Sequence, residues 1–391
     1  MASYDNWHYK VFNATSADIY GLTLKYAAFV YPAPEGVQTV SAVIKSDSKR
    51  LVNAFEFKET QDETPVKVLD VQIKNTWGSA FLIGNSKYIL DIYVPRSLMR
   101  YIVLHGDNDV AMLPGTIVND TSKTLQTKVA GSGSLFVKDS AIAINALVAE
   151  ISGDGLVQLD ISNFTMRESL ISKVSGSGDV VVATDYLTTQ YVDNKISGSG
   201  KIFVGAKTLF NATSSMKSLV TGSGQISYYE TGVTPKHEIK VDGSGTIQAG
   251  SIVTQEVNAA ISGGGSIYSN AVKSIVSVKR GSGDIFLVGN STPGVISFDD
   301  YVPKTAANAV SRYTTQALPA HDSSEVFWFG WGFAVLIGIV GLAIVGVLIR
   351  KFGVRCCRKR QQVVVGTPGP YDVAVTPVVI VNDAPVYGKT V

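Results

Sequence analysis

The stretch Ile196-Ser197-Gly198-Ser199-Gly200-Lys201-Ile202-Phe203-Val204 decides the fold, because the chain says nearly the same thing eight times. Paired glycines fall at Gly131/Gly133, Gly153/Gly155, Gly176/Gly178, Gly198/Gly200, Gly222/Gly224, Gly243/Gly245, Gly263/Gly265 and Gly281/Gly283, so successive units are 18 to 24 residues apart. A regular period of about 20 residues belongs to a stacked array, not to a globular enzyme core.

The flanking residues show what each unit is. Two positions before the first glycine stand Val129, Ile151, Val174, Ile196, Val220, Val241 and Ile261, with Lys279 the exception. Two after the second come Leu135, Val157, Val180, Ile202, Ile226, Ile247, Ile267 and Ile285, and two further on Val137, Leu159, Val182, Val204, Tyr228, Ala249, Ser269 and Leu287. This is period two on both sides of a glycine bend: a strand, a bend needing positive φ or close backbone approach, and a second strand. One such unit cannot bury its own apolar face, but stacked units bury one another's. The prediction is a right-handed parallel β-solenoid, a rod about 40 Å long at strand spacings of about 4.8 Å. An antiparallel hairpin array is the alternative. The residue between the glycines is Ser132, Asp154, Ser177, Ser199, Ser223, Ser244, Gly264 or Ser282, which predicts a ladder of small polar groups along one edge.

Ser175 to Val182 and Gly281 to Leu287 are the clearest copies of a Ser-Gly-Ser-Gly-Asp-Ile/Val pattern that resembles the putative auto-transporter adhesin, head GIN domain family. The resemblance covers the repeats, from around residue 60 to around 290. It implies a β-solenoid surface domain and brings no agreed catalytic residues.

The whole chain therefore reads as all-β: a solenoid with an N-terminal β cap, followed by one transmembrane helix. Residues 1–99 lack the glycine pairs but hold alternating stretches such as Lys67 to Ile73 and Tyr88 to Val94, and are expected to cap the solenoid's open end. Residues 100–296 are the solenoid. Its first, atypical coil is Ile102 to Met112, with Asn108 in place of the second glycine, Asn being the other residue that tolerates positive φ. Residues 297–325 have lost the repeat and read as a stalk. Residues 326–349 carry no charge. As a helix they span about 36 Å against a hydrocarbon core of about 30 Å.

Trp328 and Trp331 mark one end of that span, and Arg350, Lys351, Arg355, Arg358, Lys359 and Arg360 crowd the other. Positive-inside orientation then puts the solenoid outside the plasma membrane and residues 350–391, a proline-broken tail expected to be disordered, in the cytoplasm. No apolar leader follows Met1, so either the final apolar helix itself directs insertion or the true start lies upstream, and the second is the expectation. Five Asn-Xaa-Ser/Thr sequons, at Asn13, Asn119, Asn163, Asn211 and Asn290, lie on the outer side and are glycosylation candidates. Cys356 and Cys357, the only cysteines, are juxtamembrane candidates for S-acylation. Gly330, Ala334 and Gly338 share one helix face at the small-xxx-small spacing, which would let two spans dimerise. Membrane lipid is thus an expected partner.

Chemistry is sparse. The formal charge of +2 gives no field for nucleic acid. Gly198-Ser199-Gly200-Lys201 fails as a phosphate loop, because Lys195 and Ile202 stand where glycine and Ser/Thr are needed. No carboxylate column exists for calcium, since only Asp179 and Asp284 follow a second glycine. His8, His105, His237 and His321 are dispersed, and neither a metal nor a cofactor is expected. A polysaccharide lyase or glycosidase would need carboxylates in matching positions of neighbouring coils. Asp154, Asp160 and Asp179 are the best set and differ in register, so no catalytic residue is assigned. The function that fits is a membrane-anchored surface protein whose solenoid serves adhesion or binds an extracellular glycan or protein. Tyr228, Tyr229 and Tyr268 are candidate sugar-stacking aromatics. A β-helix enzyme, or a receptor signalling through its short tail, are the rivals.

Overall fold

The structure, a computed structural model, describes residues 6–61, 64–74, 84–289, 295–298 and 301–328. In chain order its elements are β1 (His8–Asn13), β2 (Gly21–Leu24), β3 (Ala28–Pro32), β4 (Ser41–Ser46), helix α1 (Lys49–Ala54), β5 (Phe55–Thr60), β6 (Val68–Ile73), β7 (Gly84–Val94), β8 (Tyr101–Gly106) and β9 (Val110–Met112). The coils follow as β10 (Thr124–Gly131), β11 (Ser134–Gly153), β12 (Leu156–Gly176), β13 (Asp179–Gly198), β14 (Lys201–Gly222), β15 (Gln225–Tyr229), β16 (Gly232–Gly243), β17 (Thr246–Gly263), β18 (Ser266–Arg280) and β19 (Asp284–Val288). Last come β20 (Val295–Phe298), β21 (Lys304–Ala306) and β22 (Ser324–Trp328). From β8 to β21 every pairing is parallel, and the whole is a right-handed solenoid of about nine turns.

The two glycines of a pair do different jobs. The first, as at Gly198 (φ +138), takes a backbone conformation that side chains avoid; the second, as at Gly200, has ordinary φ but no room. A Cβ on Gly200 would lie 2.6 Å from Val174 Cγ1 and against the carbonyl oxygen of Gly178 in the coil below. That closeness lets the bends template one another: the Gly176 carbonyl accepts from Ser199 N–H (3.0 Å) and Gly200 N–H (2.9 Å), and the Gly178 carbonyl from Lys201 N–H (3.1 Å).

Each coil has three faces. In β11 the inward side chains are Leu135 and Val137, then Ile142 and Ile144, then Leu147, Ala149 and Ile151, all buried. Alternation resets where the chain turns corners, and the pairing of β11 with β12 shifts register between Ile144 and Ala146. In-register stacking turns most of these positions into apolar columns filling the lumen from Leu22 to Ile285, while the Ala149 column is largely polar, running Thr127, Ala149, Ser172, Asn194, Ser218.

The N-terminal region does more than cap. β2 pairs in parallel with β8, and β3 with β9, so Gly21–Pro32 form a coil below the one expected to be first. β6 and β7 stack in parallel beyond β2 and β3. The chain's first coil is therefore sandwiched between its second and third. The outer end is closed by antiparallel strands, β4 on β7, β1 on β4 and β5 on β6, with Leu51 and Val52 of α1 buried in the core. Asn108 does not have positive φ; Gly106 (φ +101) makes that bend, and the Asn108 amide donates to the Lys25 carbonyl (3.1 Å).

Residues 301–325, expected as most of a free stalk, instead return along the solenoid. β21 pairs with β19 at the far end, the chain runs back over the outside of the first face, and β22 pairs antiparallel with β7 in the cap. Val326, Phe327 and Trp328, expected to begin a membrane helix, are strand residues opposite Ser86, Asn85 and Gly84. Among the described residues no helix is long and apolar enough to cross a membrane. The rest of the expected span, residues 329–349, and the tail 350–391 lie outside the described residues.

Candidate functional site: the outer faces of the solenoid

A filled lumen leaves only the outside for ligands. On the first face, the strands after each glycine pair, the outward column reads Phe136, Gln158, Val181, Phe203, Ser227, Gln248 in successive coils. The returning strap covers it. Val310, Tyr313 and Leu318 pack on Phe136, Leu156, Val181, Phe203 and Tyr229, with the Tyr313 and Phe203 rings 5.2 Å apart. Polar rungs of the column pair with the strap backbone: Gln158 Nε2 donates to the Gln316 carbonyl (2.8 Å) while Gln316 N–H donates to Gln158 Oε1 (2.9 Å). Ser227 Oγ donates to the Ser311 carbonyl (2.7 Å), and Ser311 N–H to Gln248 Oε1 (2.7 Å). At the cap, His321 Nε2 meets the buried Asp91 carboxylate at 2.8 Å. The signal for this cover was in the sequence: Leu135-Phe136-Val137 and Val180-Val181-Val182 are apolar on both sides, as strands buried on two faces are.

No described segment covers the second and third faces. Asn163, Tyr186 and Leu209 stand in register on the second face, with Tyr186 48% and Leu209 41% exposed. The third face, preceding each first glycine, carries a column Lys128, Glu150, Lys173, Lys195 and beside it Ser152, Ser175, Ser197. These line a shallow groove of about 340 Å³.

The candidate residues fall as follows. Asn13, Asn119 and Asn163 are exposed, Asn211 is half-buried, and Asn290 lies outside the described residues. Asn119 Oδ1 already accepts the Ala143 N–H (2.8 Å). Cys356, Cys357, Gly330, Ala334 and Gly338 also lie outside the described residues. The proposed sugar-stacking aromatics are not a surface cluster: Tyr228 is fully buried, Tyr229 lies under the strap, and Tyr268 stacks on Phe286 (4.7 Å). The side chains of Asp154, Asp160 and Asp179 occupy three different columns. Asp154 accepts from Ser177 Oγ (2.5 Å), Asp160 faces Lys138 (3.9 Å), and Asp179 is in register with Lys201, its carboxyl pushed up by burial. Among the described residues no group of three potential metal ligands comes together.

Inside the lumen a polar network escaped sequence reasoning. Tyr228 OH receives a hydrogen bond from Asn194 Nδ2 (2.9 Å) and is hydrogen-bonded to Ser218 Oγ (2.7 Å), which also bonds His237 Nε2 (2.8 Å). A serine beside a histidine has nucleophilic chemistry in principle, but Ser218 and His237 are fully enclosed. Burial drives the His237 pKa down to about 3, which keeps the ring neutral.

Such a molecule, a filled rod with two sheet faces that no described segment covers, is a right-handed parallel β-solenoid. Residues 208–291 match the family model described as putative auto-transporter adhesin, head GIN domain, a shorter stretch than the repeats suggested. Among solved structures, the chain is similar to a putative adhesin from Parabacteroides distasonis (13% identity, 77% of this chain and 95% of that one, TM-score 0.41). It is also similar to a putative lipid binding protein from the same organism (17% identity, 77% and 94%, TM-score 0.35) and a putative adhesin from Parabacteroides merdae (14% identity, 76% and 95%, TM-score 0.32). TM-scores this low carry nothing over about ligand or role. A comparison with curated proteins returns no match.

Proposed function

We propose that this chain is a membrane-anchored surface protein whose solenoid binds another surface, glycan or protein through its second and third faces. The observation that carries the reading is the filled lumen between two in-register sheets that no described segment covers: binding area lies along the outside of the rod, repeated coil by coil. Residues 329–349, still uncharged, would cross the membrane as a helix of about 31 Å, with the basic cluster from Arg350 inside. On this topology Asn13, Asn119, Asn163, Asn211 and Asn290 are open to glycosylation, Cys356 and Cys357 to acylation, and Gly330, Ala334 and Gly338 to helix pairing.

Protease added to intact cells tests the placement: it should remove an N-terminal tag and spare a C-terminal one, and the opposite pattern overturns it. Binding of cells displaying the chain to a glycan array and to other cells tests the function. Silence in both assays would count against it.

A further inference from the structure

We infer that the third-face groove is a binding site for a linear anionic glycan, one carrying carboxylate or sulfate groups along its length. The inference rests on the display function proposed above and names its ligand class and its site.

Parallel register places Lys128, Glu150, Lys173 and Lys195 on four successive coils, one directly above another. At the strand spacing the column is about 14 Å long. Lys173 is paired with Glu150 (3.0 Å), while Lys128 and Lys195 make no ion pair among the described residues. Glu150 already compensates Lys173, so Lys195, one strand away from it, and Lys128 are the charges left to meet an external anion. All three lysines are exposed. Each ends in a compact charge with three donors, suited to carboxylate or sulfate oxygens of variable spacing. Beside them the exposed hydroxyls of Ser152, Ser175 and Ser197 repeat at the same interval, and a hydroxyl can both donate to and accept from a sugar hydroxyl. A linear polymer lying along the rod axis would meet Lys128, then Ser152 beside the Lys173-paired Glu150, then Lys173 with Ser175 and Lys195 with Ser197, a run that one lipid headgroup is too short to match. Nucleic acid fits less well, because no aromatic side chain lines the groove for base stacking.

The test is affinity electrophoresis of the full-length chain in detergent micelles through gels containing polygalacturonate, dextran sulfate, neutral dextran or double-stranded DNA. Retardation is expected with at least one of the two anionic polysaccharides and not with neutral dextran, weakening with added salt. The variant Lys128→Ser/Lys173→Ser/Lys195→Ser should bind about tenfold more weakly. Lys58→Ser/Lys138→Ser/Lys207→Ser, with the same charge loss at exposed positions away from the groove, should bind as the parent does. Equal weakening by both variants would mean diffuse charge attraction and overturn the site, and DNA binding stronger than polysaccharide binding would overturn the ligand class. If displayed chain adheres to cells or neutral glycans but neither anionic polymer retards it, the groove fails and the display function stands. If it binds nothing in any assay, both fail.

Discussion

Gly200 and Gly264 are both bend glycines, yet a side chain at the two would meet very different surroundings. At Gly200 it would press into the coil below, so Gly200→Val should destabilise the solenoid by more than about 1 kcal/mol. At Gly264 φ is ordinary and a Cβ would meet only Ser282 Oγ, at 3.4 Å. Gly264→Ser, which restores the residue found between most other pairs, should be neutral or stabilise by up to about 1 kcal/mol through the unfolded chain. Denaturant titration of the two variants checks the contrast. His237 makes a second prediction. Its folded pKa of about 3 lies below the unfolded value of about 6.5, so on acidification the unfolded chain takes up a proton that the folded one refuses. Stability from this residue is full above about pH 6.5 and declines as pH falls toward 3, by up to about 1.4 kcal/mol per unit. His237→Gln should flatten that part of the stability-pH curve, and an unchanged curve would show that His237 is not its source.

At the scale of elements the strap is the feature to probe. It holds few residues of its own in regular structure and depends on side chains from the first face. Replacing Gln158 by Leu removes both hydrogen bonds to the backbone of the exposed Gln316, at a cost of about 0.5 to 1.5 kcal/mol each. Hydrogen exchange should then speed at Gln316 and its neighbours while the amides of β12 and β13 keep their protection. A strap whose exchange is unaffected would show that apolar packing of Tyr313 and Leu318 alone holds it.

At the scale of the whole molecule both ends of the stack need closing, and each is closed differently. At the far end, Lys279, the one charged residue at an inward glycine-flanking position, bonds Asp284 (3.3 Å) and lies over the Tyr301 ring (4.6 Å), while Lys304 also reaches Asp284 (2.8 Å). An inward lysine is tolerated there because the partners that the last coil lacks above it are replaced by polar ones. At the near end, deletion of residues 1–32 would remove β2 and β3 from between two other rungs and leave β6, β7, β8 and β9 each short of a partner. Such unpaired edges invite association, so the deleted chain should elute as aggregate in size exclusion; a monomeric, folded product would show that the sandwiched coil is dispensable.

The repeat itself was legible because its constraints are local. A positive-φ bend at Gly198, a crowded one at Gly200 and period-two alternation through Ile196, Ile202 and Val204 each act within a few residues, so the coil, its inward columns and the parallel stack follow from the sequence alone. What only the tertiary structure decided depends on which surfaces meet over long separations. Nothing near Gly21 or Ala28 says that their strands enter the stack ahead of β8 and β9, and nothing near Gln316 says that its backbone partner is Gln158. The lysine groove is of the same kind: Lys128, Lys173 and Lys195 are unremarkable in sequence, and become a site only because in-register stacking sets residues some 22 apart one strand spacing from each other.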